Sequence, residues 1–479
     1  MLDKFYVTAA IPYVNGLPHL GHSLEFIITD VVQRYQKLLG KEVFCVSGSD
    51  ENGQKILEAA KKENLKPQEL ADRNTESFLK HVKHLNVGFD VWRRATDQIL
   101  HWPGVKKLWQ LCLKNNDIYK KKYRGLYCVG CEQFYTKNEL VDGKCPEHNR
   151  KPELVEEENY FFKLSKYQKQ LEELIENDEL RVFPEIRKNE TLGFIKQGLE
   201  DFSVSRPKER LGGWGIPVPG DEKQVMYVWF DALTIYMTAV GWGYDQKLWE
   251  KWWPADIHVI GKGIYRFHTV YWPAMLLSAK LPLPKAVLVH GYVNSGGQKM
   301  AKSLGNTIDP EEILNQYGVD AVRYFLLKEI PTQSDGDFTH ERFKEIYNAD
   351  LANGLGNLVS RVAKMCEKDG LAGIKDYEKK ITVAESLDKY EFNQALIKLW
   401  EELRSLDLEI SRFEPWKKTA GERKEKLIEY AKRLLAFSWQ LQIFLPETAE
   451  KIAKIFTGSI IKIDQGLFPR LWTGYQPLC

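Results

Sequence analysis

Two imidazoles three residues apart, in Pro18-His-Leu-Gly-His22, stand where a glycine- and proline-rich loop runs into a long helical pattern. A helix N-terminus offers unpaired N–H groups and partial positive charge, and so suits a phosphate. The imidazoles add donors that can charge near neutral pH, and Gly21 lets a ligand approach the backbone. Alone, such a tetrad serves a solvated surface equally well. Far along the chain, Lys299-Met-Ala-Lys-Ser303 sets two lysines behind Gly296-Gly297. Two ammonium groups there can neutralise the charge that develops as a pyrophosphate leaves, although a solvated loop carries the same residues. A third constellation is Cys128-Val-Gly-Cys131 with Cys145-Pro-Glu-His148. Two such knuckles supply four soft or borderline ligands for one tetrahedral, structural Zn2+, with no position left open for water. The metal would stabilise a segment too small for a core of its own.

These groups need elements to position them. Residues 5–10 form a strand candidate, residues 12–18 a loop, and residues 20–39 a helix stopped by Gly40 before a second apolar strand at 43–46. Strand–helix–strand with a glycine- and proline-rich first turn is the pattern of a parallel, doubly wound sheet. It recurs at 257–260 and 286–289, with a helical stretch at 265–279 between them. The composition changes between 115 and 223, where the cysteine cluster is followed by charged residues, and this segment reads as an insertion between two halves of one sheet. After about residue 348 strand signals fade. Leu351, Leu355, Leu358, Val362 and Met365 recur at helical spacing, as do Leu427, Ala431, Leu434, Ser438 and Leu441, so the last third reads as a helix bundle.

In this order and on these elements, the His and Lys motifs resemble the paired HIGH and KMSKS signatures of class I aminoacyl-tRNA synthetases. The run Thr8 to Gly16, Gly48-Ser-Asp-Glu-Asn-Gly53, Tyr227-Val-Trp-Phe-Asp-Ala232, Val259-Ile-Gly-Lys262, Trp272-Pro-Ala-Met275 and Tyr317-Gly-Val-Asp-Ala-Val-Arg-Tyr324 extend the resemblance over essentially the whole chain, to the methionyl-tRNA synthetase family in its single-zinc form. The fold this implies is α/β plus all-α. A Rossmann-type doubly wound parallel sheet is split by a zinc-binding connective insertion, then followed by a stem-contact segment and a C-terminal anticodon-binding helix bundle. The expected divisions are 1–114 and 224–294 for the two sheet halves, 115–223 for the insertion, 295–347 for the lysine loop and stem contact, and 348–479 for the bundle.

The resemblance also implies the site. His19, His22, Lys299, Lys302 and Arg206 would act in catalysis, with Pro18, His19, Gly21, His22, Glu25, Gly261, His290 and Lys302 on ATP. Ala10, Ile11, Tyr13, Asp50, Trp229, Ala232, Leu233, Tyr236, Ile264 and His268 would hold methionine, Asp50 on the ammonium and Tyr236 with His268 near the sulfur. The spacing of Trp229, Ala232, Leu233 and Tyr236 puts them on one helical face independently of the family, and Ile264 and His268 are four apart. Plain core packing also accounts for Leu233 and Ile264. Asn357, Arg361 and Trp416 would read an anticodon by edge hydrogen bonds and stacking. Methionine would attack the α-phosphorus of ATP, accompanied by Mg2+, and the adenylate would then pass to the terminal adenosine of tRNA(Met), initiator and elongator. Two departures stand out: Ala301 replaces the first serine of the lysine motif, and Gly263 stands where the family usually carries an aspartate toward the ATP ribose, a contact that Glu25 or Asp50 would have to replace.

The composition bounds the alternatives. At 479 residues and net charge +2 the chain has room for about three domains and is no polycation, so RNA must be met by local patches. No run of 18 apolar residues marks a membrane span. The seven cysteines are odd in number and clustered, unlike a secreted disulfide framework, and the expected compartment is the cytoplasm. The expected state is a monomer. Two rival readings stay open: a class I synthetase for another apolar amino acid, for which the 115–223 segment is too small to edit, and a non-catalytic zinc-containing tRNA-binding paralogue. Without an editing domain, homocysteine would be handled in the synthetic site.

Overall fold

The apolar, β-branched runs of the first 300 residues pair into one parallel sheet. The computed structural model describes residues 3–129, 133–135, 139–146, 149–299 and 308–471. The six strands are β1 (Lys4–Ala9), β2 (Glu42–Ser49), β3 (Val91–Arg94), β4 (Arg181–Phe183), β5 (Ile257–Gly261) and β6 (Ala286–His290), in the order β3-β2-β1-β5-β6-β4. Register runs Val7↔Cys45 on one side of β1 and Val7↔Ile257 on the other, then His258↔Val287 and Val287↔Val182. Strand order reverses between β1 and β5. In such a sheet the crevice beyond the carboxyl ends of those two strands takes the ligand.

The mixed α/β class with a parallel sheet and a helical C-terminal region is therefore as expected, and three local readings differ. β4 comes from within the segment read as an insertion. Its three residues, flanked by charge, carry too little pattern to be seen. The stretch 265–279 is not one α-helix: a 3-10 turn at Lys262–Ile264 leads into a π-helical segment at Phe267–Tyr271 and an α-helix at Trp272–Ser278. Pro273 has no N–H to give the preceding turn, so the α-helix restarts beside it. Likewise Tyr347–Gly356 is π-helical, where Gly354 and Gly356 lower the cost of widening the turn.

The described chain forms two compact units. The first is Met1–Pro18, Gln36–Lys83 and Val87–His290; the second is His19–Tyr35, His84–Asn86 and Gly291–Cys479. The first unit holds the parallel sheet and a core in which Tyr6, Trp109, Phe162, Phe230 and Trp272 are fully buried. It also holds an antiparallel ribbon, Ile118–Cys128 against Glu153–Phe162, where Lys122↔Glu158 and Arg124↔Glu156 pair opposite charges across strands. The helices used below are α1 (Leu20–Leu38), α2 (Trp102–Lys114), α3 (Val228–Thr238), α4 (Asn357–Lys368), α5 (Phe392–Phe413), α6 (Ala420–Leu441) and α7 (Pro446–Thr457). Every residue of α3 is buried, as an all-round apolar helix requires. The second unit is largely helical, with Leu358, Val362, Leu399, Leu434 and Leu441 in its core. Among the described residues no helix is long and apolar enough to cross a membrane.

Candidate active site

The backbone hydrogen bond from Ala10 N to Val259 O, 2.9 Å, keeps the loop leaving β1 beside the one leaving β5. This brings Ala10, Ile11 and Tyr13 together with Ile264 and His268, while α3 supplies Trp229, Ala232, Leu233 and Tyr236. The rings form a continuous aromatic wall. Tyr13 meets Trp229 edge-on at 6.0 Å, and Trp229 stacks on Phe267 at 3.8 Å. Tyr236 Oη lies 2.8 Å from His268 Nε2, whose Nδ1 lies 3.0 Å from Ile264 O. A carbonyl only accepts, so Nδ1 carries the proton. Burial pushes the His268 imidazole down to about 4, which keeps it neutral, and Tyr236 therefore donates to Nε2. The Tyr236 hydroxyl hydrogen is thus committed, and an apolar, polarizable guest would meet ring faces and an oxygen lone pair. Trp229 Nε1 is buried with no partner among the described residues, a donor that a ligand could satisfy.

Asp50 enters from the C-terminal end of β2. Its amide donates to Pro12 O at 2.9 Å and its carbonyl accepts from Val14 N at 3.2 Å, so the loop leaving β1 grips it at two points. Its side chain is 1% exposed. The neighbouring Glu51 is fully buried and saturated, accepting from Ser49 Oγ at 2.6 Å, Thr75 Oγ1 at 2.9 Å and Arg94 Nε at 2.6 Å, and from the Thr96 hydroxyl. With the Thr96 amide at 3.3 Å, five donors on one carboxylate make a rigid floor for the loop that carries Asp50. Gly261 and His290, expected at ATP, stand side by side in register at the ends of β5 and β6. Gly263 is exposed and brings no carboxylate.

Arg206 is buried between two tyrosines, its guanidinium 5.1 Å from the ring centre of Tyr127 and 4.6 Å from that of Tyr227. Nη1 donates to Ser203 Oγ and Ser205 O, both at 2.7 Å. It lines a cavity of about 420 Å³ with Phe202, Tyr271 and Glu200. The sequence assigns no site role to Phe267, which adjoins His268, or to Tyr227, which opens a marked run; the π-helical segment that turns Phe267 onto Trp229 has no sequence signature of its own.

In the second unit, His19 and His22 stack at 3.7 Å with their planes 19° apart. His22 Nδ1 accepts from His19 N at 3.2 Å, and His19 Nδ1 accepts from Gly21 N at 3.1 Å. In neutral rings both therefore carry the proton on Nε2. A Cβ on Gly21 would lie 3.0 Å from the His19 ring, so glycine is what lets the pair close. The first turn of α1 carries no acid, which leaves its N-terminal field available to an anion. Glu25 follows on the same helix, buried. Lys299 ends a short strand paired with Asn294, and Lys302 lies outside the described residues.

Cys128 and Cys145 are buried in one small cluster with Tyr135, against Leu140; Cys131 and His148 lie outside the described residues. In the helical region Asn357 and Arg361 are one turn apart on α4. Arg361 pairs with Asp407 of α5, and Trp416, just past the end of α5, is 54% exposed. An indole left that far in water has surface to offer a base.

A family model described as "tRNA synthetases class I (M)" matches residues 5–151 and 147–363. The methionine–tRNA ligase of Brucella suis biovar 1 (strain 1330) is 42% identical over 477 residues, covering 95% of this chain and 92% of the relative. That of Nostoc sp. (strain PCC 7120) is 48% identical over 370 residues, 76% of this chain and 69% of the relative. The structure of Mycobacterium tuberculosis methionyl-tRNA synthetase in complex with methionyl-adenylate superposes with a TM-score of 0.91 at 34% identity, covering 98% of this chain and 100% of that one.

Proposed function

This chain belongs to the methionyl branch of the class I tRNA synthetases, and from that premise we propose that it joins L-methionine to tRNA(Met) in two steps, at the expense of ATP. The observation that carries the reading is the buried slot of Trp229, Tyr236 and neutral His268 with the carboxylate of Asp50 on the adjoining loop. An apolar, polarizable side chain and an ammonium group are what such a site is built to take. Asp50 holds the ammonium, and Ala10, Ile11, Tyr13, Ala232, Leu233 and Ile264 complete the walls.

The methionine carboxylate attacks the α-phosphorus of ATP. A bond forms from carboxylate oxygen to phosphorus, the bond to the bridging oxygen breaks, and pyrophosphate leaves. The terminal adenosine of the tRNA then attacks the acyl carbon through its 2′-hydroxyl, and AMP departs. No protein nucleophile is needed, so catalysis is positioning and charge stabilisation. His19 and His22 donate Nε2–H to phosphate oxygens at the N-terminus of α1, near Pro18, Gly21 and Glu25. Lys299 and Lys302 follow the pyrophosphate, Arg206 assists activation, and Gly261 and His290 flank the nucleotide. Mg2+ accompanies ATP and supplies charge neutralisation on the phosphates. Cys128, Cys131, Cys145 and His148 would hold Zn2+, which would supply cross-linking of the knuckles. Asn357, Arg361 and Trp416 meet the anticodon. The protein acts as a cytoplasmic monomer.

Methionine-dependent ATP–pyrophosphate exchange tests the first step, and charging of tRNA(Met) the second. Exchange driven by isoleucine, leucine or valine instead of methionine would sink the specificity. Absence of exchange with any amino acid would make the chain a tRNA-binding paralogue.

A further inference from the structure

Asp50 and the aromatic slot come from different elements, the loop after β2 and the helix α3, and a buried chain of polar groups spans them. Asn52, two residues beyond Asp50, donates its Nδ2 to Asp231 Oδ2 at 2.5 Å. Asp231 sits on α3 between Phe230 and Ala232, and its other oxygen lies 2.6 Å from His101 Nε2. His101 Nδ1 lies 2.8 Å from Thr238 Oγ1 at the far end of the same helix. Asn52 is 3% exposed, Asp231 1%, and His101 and Thr238 0%. The loop is held at one point and the helix at two, one near each end of the run that carries Trp229, Ala232, Leu233 and Tyr236.

A buried carboxylate is expensive, and apolar residues of similar shape in its place are often neutral or stabilising. Stability alone therefore does not call for it. What Asp231 does that a leucine would not is fix a distance: its two oxygens point in set directions and tie loop to helix at hydrogen-bond length. We propose that Asn52, Asp231 and His101 form a positioning relay that sets the spacing between the Asp50 carboxylate and the Trp229–Tyr236 face, and so measures the substrate between its ammonium and its thioether. The relay touches no reacting atom; it acts through Asp50 and α3. The inference rests on the reading of those groups as the two ends of a methionine site.

The test uses the full chain, with exchange driven in turn by methionine, by homocysteine, one methyl shorter, and by ethionine, one methylene longer. Asn52→Ala should raise KM for methionine about tenfold or more, with kcat and KM for ATP within about threefold. The kcat/KM preference for methionine over ethionine should fall about fivefold or more, because a slot of loosened length discriminates length less well. Asp231→Asn keeps the shape and can bridge Asn52 to His101, its oxygen accepting from Asn52 and its amide donating to the ring, so its values should stay within about threefold of the wild type. Thr238→Val, which frees only the far end, should move the same parameters in the same direction by less, and it stands in if Asn52→Ala does not fold. The relay is overturned if these variants lower the melting temperature while KM and the ethionine preference stay put, or if KM for ATP rises in step with KM for methionine. A wild-type chain that methionine does not drive at all defeats the reading of the site, and the relay with it; a wild type that responds to methionine while the variants behave alike defeats the relay alone.

Discussion

Burial sets the chemistry of His268 more than its neighbours do. Unfolded, an imidazole takes up its proton near 6.5, whereas in the folded protein this one does so only at about 4. Between those values the unfolded chain binds more protons than the folded one. Stability that is fully present above 6.5 is therefore lost as pH falls, and the loss is complete near 4. The gap corresponds to about 3 kcal/mol. His258, tilted against Tyr236 at 4.4 Å and also held well below the ordinary histidine value by burial, pulls the same way. Urea denaturation at about pH 7 and about pH 5 should show a marked fall in the wild type, and His268→Gln should flatten part of it. An unchanged slope in the variant would mean that His268 titrates normally. Above pH 6.5 the His268–Tyr236 hydrogen bond does not titrate, so KM for methionine should show no inflection from this group.

Elements set the tolerance of the site to distant change. Gly104 on α2 faces α3, and a Cβ there would lie 2.4 Å from Thr238 Cγ2 and 2.7 Å from Trp242 O. One contact is a stiff β-branched side chain and the other is backbone, so neither yields easily. Gly104→Ala should cost about 1–3 kcal/mol by overpacking and should raise KM for methionine, since α3 carries the aromatic slot. Stability lost with no change in KM would show that α3 does not shift. Much of this level was legible beforehand: β1, α1, β2, β5 and β6 follow from apolar runs, and the face of α3 from its spacing. What was not legible depends on long-range partners. β4 has three residues and exists because β6 offers it an edge. The relay joins Asn52 and Asp231, which lie in two of the marked runs, to His101, which lies in none, and nothing in any of the three stretches pairs them. No local pattern tells a polar residue that will be buried and paired from one that will be solvated.

At the scale of the molecule, near-neutral charge would leave recognition of RNA to local groups, and the residues proposed for it, Asn357, Arg361 and Trp416, belong to the second unit while those proposed for methionine belong to the first. Trp416→Ala should lower kcat/KM for tRNA charging by the equivalent of about 1–3 kcal/mol while methionine-dependent exchange stays unchanged. A parallel loss of both would place Trp416 in the fold instead of at a base. The second unit is itself assembled from three separate stretches, and one side chain reaches all of them. Arg323, fully buried, donates Nη2 to Asp30 Oδ2 of α1 at 2.7 Å, Nη1 to Leu85 O at 3.2 Å, and Nε to Phe444 O, between α6 and α7, at 2.7 Å. A lysine has one ammonium and cannot serve three acceptors in a plane, so Arg323→Lys should not be conservative. Arg323→Met strands the Asp30 carboxylate, which keeps Arg34 and Gln33 but loses its buried partner, and should cost about 3–5 kcal/mol in urea denaturation. Because α1 carries His22 and begins directly after His19, exchange activity should fall in the variant before the unit unfolds. Adding Asp30→Leu to Arg323→Met should recover part of the lost stability, since it removes the stranded charge, while exchange remains low. Strictly additive losses would instead mean that Asp30 and Arg323 act independently, and that α1 is held to the helical unit by apolar packing alone.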